Sequence, residues 1–236
     1  MPKSKHIQCI KIKRFEHGVS KIMFDTVAVE QEIIAQVASC GTFRFLCTPA
    51  DLKALISGFL FTQGIIESIA EIKKIKFTRT IVAIELHKKT HQKKISPCKK
   101  SAIFSPALIF KLMNALQKKQ KIFPLTGGSH AALIFNARGK ALAFAEDVAR
   151  HNAIDKAIGK CLINKKLNAV FGIVLSSRVT FELVKKIARA KIKLIACVSA
   201  PSSLAVQAAK DHGIILCGFV REKRMNVYAK RAEKNL

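Results

Sequence analysis

The chain has 236 residues and a mass of 26.1 kDa, enough for one large domain or for a domain with a smaller lobe. Half of the residues are hydrophobic, which excludes wholesale disorder, and no apolar run approaches the length of about 18 residues that a membrane-spanning helix needs. The net charge of +27 favours anionic partners. The excess is largely dispersed lysine and the phenylalanines lie within apolar runs, so dedicated nucleic-acid binding is not indicated.

The cysteines and the N-terminus indicate a cellular compartment. Seven cysteines are scattered through the chain without a CxxC pair, and the basic N-terminal segment lacks the apolar core of a signal peptide. We therefore expect free thiols, a cytoplasmic location and no membrane segment.

The N-terminal part of the chain predicts strands followed by a helix. Residues 6–46 alternate polar and apolar positions, with Gly18 and Gly41 as turn signals, which is typical of antiparallel strands. A helix should follow, with Thr48 as its N-cap and Gly64 at its end.

The next segment predicts two short strands around 72–77 and 81–87. Residues 88–101 then break every periodicity and predict an exposed basic loop. A helix begins after Ser105, and a lobe boundary is expected near residue 120.

From residue 121 onward the pattern is α/β. Strands are predicted at 131–136, 140–146, 169–175, 193–198 and 214–220, and helices at 148–162, 179–190 and 202–212. Such alternation is typical of a largely parallel sheet. We therefore divide the chain into an N-terminal α+β lobe, 1–120, and an α/β domain, 121–236.

Polar and basic segments follow three of the predicted strands, at residues 176–178, 199–203 and 221–224. The carboxyl ends of parallel strands meet at one edge of a sheet, and two of these segments lead into helix N-termini. We therefore expect a crevice that suits phosphate groups, with Arg178 facing the ligand.

The stretch 126–156 concentrates titratable side chains. On a helix, Asp147, His151 and Asp155 recur every four residues and lie on one face. His151 can act as a general acid or base tuned by these carboxylates, or it can belong to a structural network of the neighbouring charges.

A double glycine precedes a histidine at the start of the same stretch. Gly127 and Gly128 can let backbone amides approach a phosphate, or they can merely permit a tight turn. The histidine that follows, His130, favours a ligand-binding role.

Cys98 lies on the predicted basic loop, next to Lys99 and Lys100, whose charge favours the thiolate. It is either a nucleophile or a surface cysteine on a solvated loop. The segment 97–101 nearly spells the PCxxC of zinc deaminases, but it lacks the second cysteine and no HxE lies upstream. We therefore expect no zinc site and no deaminase activity.

Five motifs in order resemble those of the FdhD family, the sulfurtransferase accessory proteins of formate dehydrogenase. They are TGGSHAA, EDVARHNAIDKAIG, SSRVTFELVKK, VSAPSSLAVQAA and GFVREKRMNVY. The N-terminal CTPADLKALISGFLFTQGII is similar to the family's first lobe.

The resemblance implies a cytidine-deaminase-like three-layer α/β domain, with the smaller N-terminal lobe, and a homodimer. It also implies that Cys98 receives sulfur as a persulfide from a cysteine desulfurase. The sulfur then passes to the molybdenum cofactor, bis-molybdopterin guanine dinucleotide, before the cofactor is inserted into formate dehydrogenase. The family's cofactor-binding segment matches Phe219, Val220, Arg221, Glu222, Lys223 and Arg224. The other expected cofactor-binding residues are Gly127, Gly128, His130, His151 and Arg178.

The chain departs from the family pattern at the sulfur-carrying loop. The family usually has a CGxCG loop where this sequence has ISPCKKS, so Cys98 can occupy either cysteine position. Ala149, Ser177 and Glu222 also replace family glycines. The alternative is a diverged, non-catalytic binding protein or chaperone for the cofactor or a guanine nucleotide, in which sulfur transfer is lost with the second cysteine.

Overall fold

The computed structural model describes residues 6–38, 40–87 and 105–230. The predicted basic loop, including Cys98, lies outside these residues. No helix within the described ranges is long and apolar enough to cross a membrane.

The chain begins with a long hairpin. Strands β1 (Ile7–Glu16) and β2 (Val19–Ala28) pair antiparallel over their whole length and form a two-stranded sheet of their own. Gly18 has a φ of 78° in the turn between them, a left-handed conformation that glycine adopts without strain. The predicted turn is therefore confirmed.

A four-stranded sheet follows. Its strands are β3 (Gln31–Val37), β4 (Gly41–Cys47), β5 (Ile72–Thr78) and β6 (Ile81–Leu86), in the order β4–β3–β6–β5. Ile33, Ala35 and Val37 alternate along β3 and are buried, so one face of this sheet contributes to the core. Helix α1 (Leu52–Thr62) packs in the same core, and the strands predicted from the alternation are confirmed.

Helix α1 begins later than predicted. Asp51, with a φ of 54°, holds the N-cap position. Thr48 is instead bonded to the segment around Asp147: its amide donates to Asp147 Oδ2 at 3.2 Å, and its hydroxyl accepts from the Val148 amide at 3.1 Å. The prediction of Thr48 as N-cap was wrong, because a long-range partner uses the groups that would have capped the helix.

The C-terminal part is built on a six-stranded sheet. Its strands are β7 (His130–Phe135), β8 (Ala141–Asp147), β9 (Gly172–Leu175), β10 (Leu194–Cys197), β11 (Ile215–Arg221) and β12 (Arg224–Ala229), in the order β12–β11–β10–β9–β7–β8. Strands β9, β10 and β11 run parallel, whereas β7, β8 and β12 pair antiparallel with their neighbours. The sheet is therefore mixed, and the predicted parallel arrangement holds for its centre alone.

Strand β12 was not predicted. It follows β11 through a two-residue turn, Glu222 and Lys223, that has no glycine to signal it. Glu222 nevertheless has a φ of 53°, so a non-glycine residue adopts the left-handed conformation that the turn requires.

Helices cover both faces of the six-stranded sheet. They are α2 (Pro106–Lys119) on one face, and α4 (Arg150–Ile163), α5 (Phe181–Arg189) and α6 (Ser203–Asp211) on the other, with a single short turn, α3 (Phe123–Thr126), before β7. The helix predicted after Ser105 is confirmed as α2, and its apolar residues Ile109 and Leu116 are fully buried. The expected three-layer α/β architecture is thus confirmed for this part of the chain.

Helix α2 lies on the N-terminal side of the division predicted at residue 120. It packs on the six-stranded sheet, so by packing it belongs with the C-terminal layers. Helix α1 packs across α4, and the four-stranded sheet shares one continuous core with α4 and α5. The division into 1–120 and 121–236 stays a prediction from the sequence.

Candidate functional site

Three segments that follow core strands meet at one edge of the six-stranded sheet. The Val179 amide donates to the Ala200 carbonyl at 3.2 Å, and the Ser202 amide donates to the Val179 carbonyl at 2.9 Å. The Phe219 amide donates to the Ser199 carbonyl at 3.1 Å. Val179, residues 199–202 and Phe219 therefore meet at one edge, which we call the crevice edge. These residues include or closely flank the predicted segments 176–178, 199–203 and 221–224.

The segment from Phe219 to Arg224 forms the end of a hairpin, because the predicted strand at 214–220 turns back into β12. Pairing between β11 and β12 shifts between Gly218 and Arg221, and Phe219 lies in this bulge with a φ of 51°. The Phe219 side chain is 37% exposed, whereas Val220 is buried in the core. A left-handed aromatic residue is a sparsely populated state of the kind found at ligand sites.

Arginines surround the crevice edge without acidic partners. Arg178, Arg221 and Arg224 are exposed, and Arg221 Nε donates to the Val198 carbonyl at 3.4 Å. The Nε atom of Arg150, the first residue of α4, is buried and has no hydrogen-bond partner among the described residues. None of these four arginines forms an ion pair with a residue that the structure describes. The cluster is therefore suited to an anion.

His130 is the first residue of β7 and is half-buried beside these arginines. Burial, Arg150 and Arg178 together lower the pKa of His130 below its ordinary value of 6.5, and the opposing influence of Asp147 is smaller. The imidazole is therefore neutral near pH 7, and an anion in the crevice would favour its protonation.

His151 lies on α4 and is also half-buried. Burial lowers its pKa, and Arg150 and Lys186 lower it further, while Glu182 acts in the opposite direction. A neutral imidazole at this place can accept a proton, so the general acid or base role stays a prediction.

The predicted helical face is wrong for Asp147, which lies outside α4, whereas Asp155 follows His151 by one helical turn on α4 as predicted. Asp147 ends β8, three residues before α4 begins, and forms a fully buried ion pair of 2.5 Å with Lys156. Asp155 is also buried, and its carboxylate accepts from Lys186 at 2.6 Å and from the Thr62 hydroxyl at 2.8 Å. Each carboxylate is paired with a lysine, so Asp147 joins the end of β8 to α4 and Asp155 joins α4 to α5, and neither aspartate is among the groups that shift the pKa of His151.

Glu146 belongs to a different cluster. Its carboxylate accepts hydrogen bonds from the backbone amides at the start of α3, at 2.8 Å from Lys121 and 2.9 Å from Phe123, and from the Ser129 hydroxyl at 2.7 Å. Sequence reasoning missed both α3 and this contact. Pro124 early in the turn and Gly127 at its end were the available signals.

Gly127 and Gly128 end α3. Gly127 has a φ of 65° and its amide donates to the Phe123 carbonyl at 2.8 Å. The Gly128 amide donates to the Thr126 hydroxyl at 3.0 Å. Both amides therefore have partners within the turn, which favours the tight-turn interpretation of this glycine pair, and their role in cofactor binding stays a prediction.

Four of the described cysteines are poor nucleophiles. Burial raises the pKa of Cys47 and Cys161 to about 11 and that of Cys197 and Cys217 to about 12. These thiols stay protonated near pH 7, and a thiol attacks sulfur as its thiolate. Among the described cysteines, Cys9 is exposed and Cys40 is partly exposed.

A metal site was not expected from the sequence. Within residues 6–38, 40–87 and 105–230, no group of three or more His, Cys, Asp or Glu side chains is placed to hold a metal ion.

A model of the FdhD/NarQ family matches residues 28–102 and 81–234 of the chain. The chain belongs to the FdhD/NarQ family. The resemblance identified from the five motifs is thereby confirmed.

Two relatives illustrate how far the similarity extends. The chain is 33% identical over 228 residues to the sulfur carrier protein FdhD of Saccharolobus solfataricus, covering 86% of this chain and 89% of the relative. It is 32% identical over 253 residues to the protein of the same name from Sulfurisphaera tokodaii, covering 94% and 98%. The similarity therefore extends over nearly the whole length of both proteins.

A crystal structure shares the fold. It is that of a putative formate dehydrogenase accessory protein from Desulfotalea psychrophila, which is similar with a TM-score of 0.82 and 26% sequence identity, over 94% of this chain and 96% of that one. The α/β fold is therefore that of an FdhD-type accessory protein, and its description as cytidine-deaminase-like stays a prediction.

Proposed function

We propose that this FdhD/NarQ family member is a sulfur carrier for formate dehydrogenase. Cys98 accepts sulfur from a cysteine desulfurase and passes it to the molybdenum cofactor, bis-molybdopterin guanine dinucleotide, before the cofactor enters formate dehydrogenase. The observation that carries the proposal is the meeting, at one sheet edge, of three post-strand segments and of arginines that have no ion-pair partner among the described residues, in a chain whose relatives are named sulfur carrier proteins.

Sulfur acceptance is a thiol–persulfide exchange. The Cys98 thiolate attacks the terminal sulfur of the desulfurase persulfide, a new sulfur–sulfur bond forms, and the desulfurase cysteine leaves as a thiolate. Delivery of that sulfur as sulfide takes up two electrons, which a second thiol supplies by forming a disulfide with Cys98. The single cysteine of the ISPCKKS segment thus needs a thiol from elsewhere, where the family pattern has two cysteines.

The crevice edge suits the cofactor as substrate. A pterin dinucleotide carries several phosphate charges, and Arg178, Arg221 and the buried Nε of Arg150 are donors without acidic partners in the described structure. The exposed ring of Phe219 offers an apolar face beside them. Neutral His130 can gain a proton as phosphate arrives, which would add a further charge-assisted contact.

Persulfide mapping tests sulfur transfer. The protein is incubated with a cysteine desulfurase and cysteine, and its peptides are analysed by mass spectrometry under non-reducing conditions. We expect the Cys98 peptide to gain the mass of one sulfur atom. Cys9→Ser is the matched control, because Cys9 is the exposed thiol among the described cysteines and its loss should leave the gain on Cys98 unchanged. Absence of the gain on Cys98 would contradict sulfur carriage.

Nucleotide binding tests the crevice edge. Guanosine diphosphate is a stable probe for one half of the cofactor, and calorimetric titration measures its Kd. Arg178→Ala and Arg221→Ala should each weaken binding by about tenfold or more, the effect of one lost charged hydrogen bond. Arg138→Ala is the control, because Arg138 is exposed on the β7–β8 turn at the opposite sheet edge. Equal effects of all three substitutions would indicate that only general charge matters.

The second candidate is a non-catalytic chaperone for the cofactor or a guanine nucleotide. The departure from CGxCG at ISPCKKS favours it, since one cysteine of the family pattern is missing. Cys98→Ser separates the two functions: it should abolish activation of formate dehydrogenase in a strain that lacks this factor if sulfur is carried, and leave activation intact if the protein is a chaperone. Nucleotide binding should survive the substitution in both cases.

The remaining parts of the proposal concern assembly and location. A cysteine desulfurase and formate dehydrogenase are the partners, and the carrier acts as a homodimer in the cytoplasm. All six described cysteines are free thiols, which is in keeping with a reducing compartment.

A further inference from the structure

The hairpin of β1 and β2, residues 7–28, projects from the rest of the chain, and we call it the arm. Its ten residue pairs run in register from Ile7 and Ala28 to Glu16 and Val19, which makes it about 33 Å long. At its base, the Ala28 methyl group lies 3.5 Å from where a β-carbon on Gly128 would lie. Neither strand of the arm pairs with any other described strand.

Large apolar side chains on the arm face solvent. Phe15, Val19, Ile22 and Phe24 are between 66% and 71% exposed. Phe15 pairs with Ser20, so Phe15, Ile22 and Phe24 lie on the same face as Ala28, the face that meets α3 at the base. A two-stranded hairpin without a third strand or a packed helix is marginally stable in water. The arm therefore needs a surface that covers it.

We propose that a second copy of this chain covers the arm, so that the two arms carry the contact of the homodimer. The inference rests on the proposed homodimer and is independent of sulfur transfer. Each arm packs against the apolar surface at the base of the other copy's arm. The contact is twofold symmetric, so both copies contribute the same residues to it.

The exposed apolar area matches what a dimer needs. About two-thirds of each phenylalanine and a similar fraction of Ile22 amount to roughly 400 Å² on the Phe15–Phe24 face of one arm. If each arm covers an equal area on the other copy, the contact removes roughly 1,600 Å² from water, the usual size of a stable interface. A smaller occupant, such as a short peptide, would leave much of this area exposed.

The receiving surface is continuous with the arm. Phe123 and Leu125 of α3 are 47% and 57% exposed, and α3 is the helix against which the base of β2 packs. A twofold axis near the middle of the arm brings these side chains toward the Phe15–Phe24 face of the other copy. His130 follows α3 closely in the chain, so the dimer contact would also stabilise the side of the crevice edge on which His130 lies.

The charges of the arm permit the approach of two basic chains. Arg14 pairs with Asp25 at 3.9 Å and Lys21 pairs with Glu16 at 4.0 Å, so half of the arm's basic side chains have acidic partners on the arm itself. Each chain carries a net charge of +27, and pairing within the arm reduces the repulsion where the two copies meet.

The test compares two double variants by light scattering and sedimentation at micromolar concentration. Phe15→Ser with Phe24→Ser alters the arm, and Leu204→Ser with Val227→Ser removes exposed apolar side chains elsewhere, which are 64% and 46% exposed. We expect wild type and the control at twice the chain mass of 26.1 kDa, and the arm variant at 26.1 kDa. The Kd of the dimer should rise by at least about a hundredfold, because each arm loses two aromatic anchors.

Hydrogen exchange on the wild-type protein keeps the test independent of how the variants fold. Amides of β1 and β2 should exchange faster on dilution below the Kd, whereas those of β9 and β10 should not change. A monomeric wild type, a dimeric arm variant or unchanged exchange in the arm would each overturn the proposal. Persulfide mapping on Cys98 is read separately, so loss of sulfur carriage and loss of the arm contact are distinguishable outcomes.

Discussion

Gly58 of α1 and Gly159 of α4 face each other where the two helices cross. A β-carbon on Gly58 would overlap the Asp155 carbonyl oxygen, and one on Gly159 would overlap the Ala54 carbonyl oxygen. The two backbones are therefore in direct contact, and the approach lets the Thr62 hydroxyl of α1 reach the Asp155 carboxylate at 2.8 Å. This crossing joins the four-stranded sheet and α1 to the helices that carry the crevice edge.

Replacing Gly159 by alanine should separate these helices. Because the added methyl group would overlap a backbone atom, the overpacking cost lies at the upper end of its usual range, about 3 kcal/mol. The better helix propensity of alanine returns about 1 kcal/mol, so we expect the free energy of unfolding to fall by about 2 kcal/mol. Urea denaturation measures this change. Gly128→Ala is the control, because its β-carbon would meet its nearest neighbour at 3.5 Å, an ordinary contact, and its φ is not left-handed. A Gly159→Ala protein as stable as wild type would contradict the close crossing.

The buried pair of Asp155 and Lys186 should show a strongly non-additive mutant cycle. Lys186→Met leaves a buried carboxylate without its cation and should lower the free energy of unfolding by about 3–5 kcal/mol. The double variant Asp155→Leu with Lys186→Met should recover most of that loss, since no isolated charge remains. The neighbouring exposed Lys185 gives the control substitution Lys185→Met, with an expected change within about 0.5 kcal/mol. Additive losses in the double variant would argue against the pair.

Glu146 should govern part of the stability in acid. Burial raises the pKa of Glu146, but its hydrogen bonds from Lys121, Ser129, Phe123 and Ile122 outweigh this and lower the pKa below 4.5. The folded state therefore binds fewer protons than the unfolded state, so this stabilisation is complete above about pH 4.5 and is lost as the pH falls through the lowered pKa. Glu146→Gln should cost about 1–3 kcal/mol at pH 7 and flatten the acid limb of the stability curve.

Chemical denaturation at a series of pH values measures the Glu146 effect. The control is Glu85→Gln, because the Glu85 carboxylate is 53% exposed and its ion pair with Lys73 spans 3.8 Å. A surface pair of this kind contributes little, so that variant should follow the wild-type curve. Parallel acid limbs for Glu146→Gln and wild type would contradict the role of this carboxylate at α3.

His130 should couple protonation to anion binding. Its lowered pKa means that the folded state releases a proton as the crevice forms, so its stabilising contribution is present above about pH 6.5 and declines as the pH falls. A bound phosphate would raise the pKa of His130, and binding should therefore tighten between about pH 7.5 and pH 6. His130→Gln should remove part of this dependence in titrations with guanosine diphosphate.

The phosphate of that probe also titrates in this range, so the comparison is between variants rather than between pH values. His212→Gln is the matched control, since His212 ends α6, away from the crevice edge. It should retain the wild-type pH dependence. Identical pH profiles for His130→Gln and wild type would place His130 outside the anion site.

Much of the secondary structure could be predicted because it depends on local periodicity. Alternation along β3 and the apolar stripe of α2 mark the positions that meet the core. The burial of four cysteines in apolar segments follows from the same pattern. The order of five motifs identified the family, and the strands that carry them brought the post-strand segments to one edge.

Partners distant in sequence could not be predicted in this way. Asp147 and Asp155 have helical spacing, yet each is neutralised by a lysine whose approach depends on tertiary packing. Thr48 has the residue type of a helix cap, but its groups bond to the segment around Asp147. An apolar residue on a predicted strand also does not reveal whether another element covers it, so the exposure of Phe15 and Phe24 emerged only from the structure.

The sequence by itself therefore determined most of the elements, though neither α3 nor β12, together with the family and the candidate residues of the crevice edge, because periodicity and motifs are properties of neighbouring residues. The tertiary structure decided which charges are already paired and which remain available. It assigned Asp147 and Asp155 to buried ion pairs, and left Arg178 and Arg221 without acidic partners among the described residues. The physical reason is that a charged side chain with an opposite charge beside it is held in an ion pair, whereas one without such a neighbour is free to bind a ligand. Helix packing decides between the two, because it brings side chains that are distant in sequence together or keeps them apart.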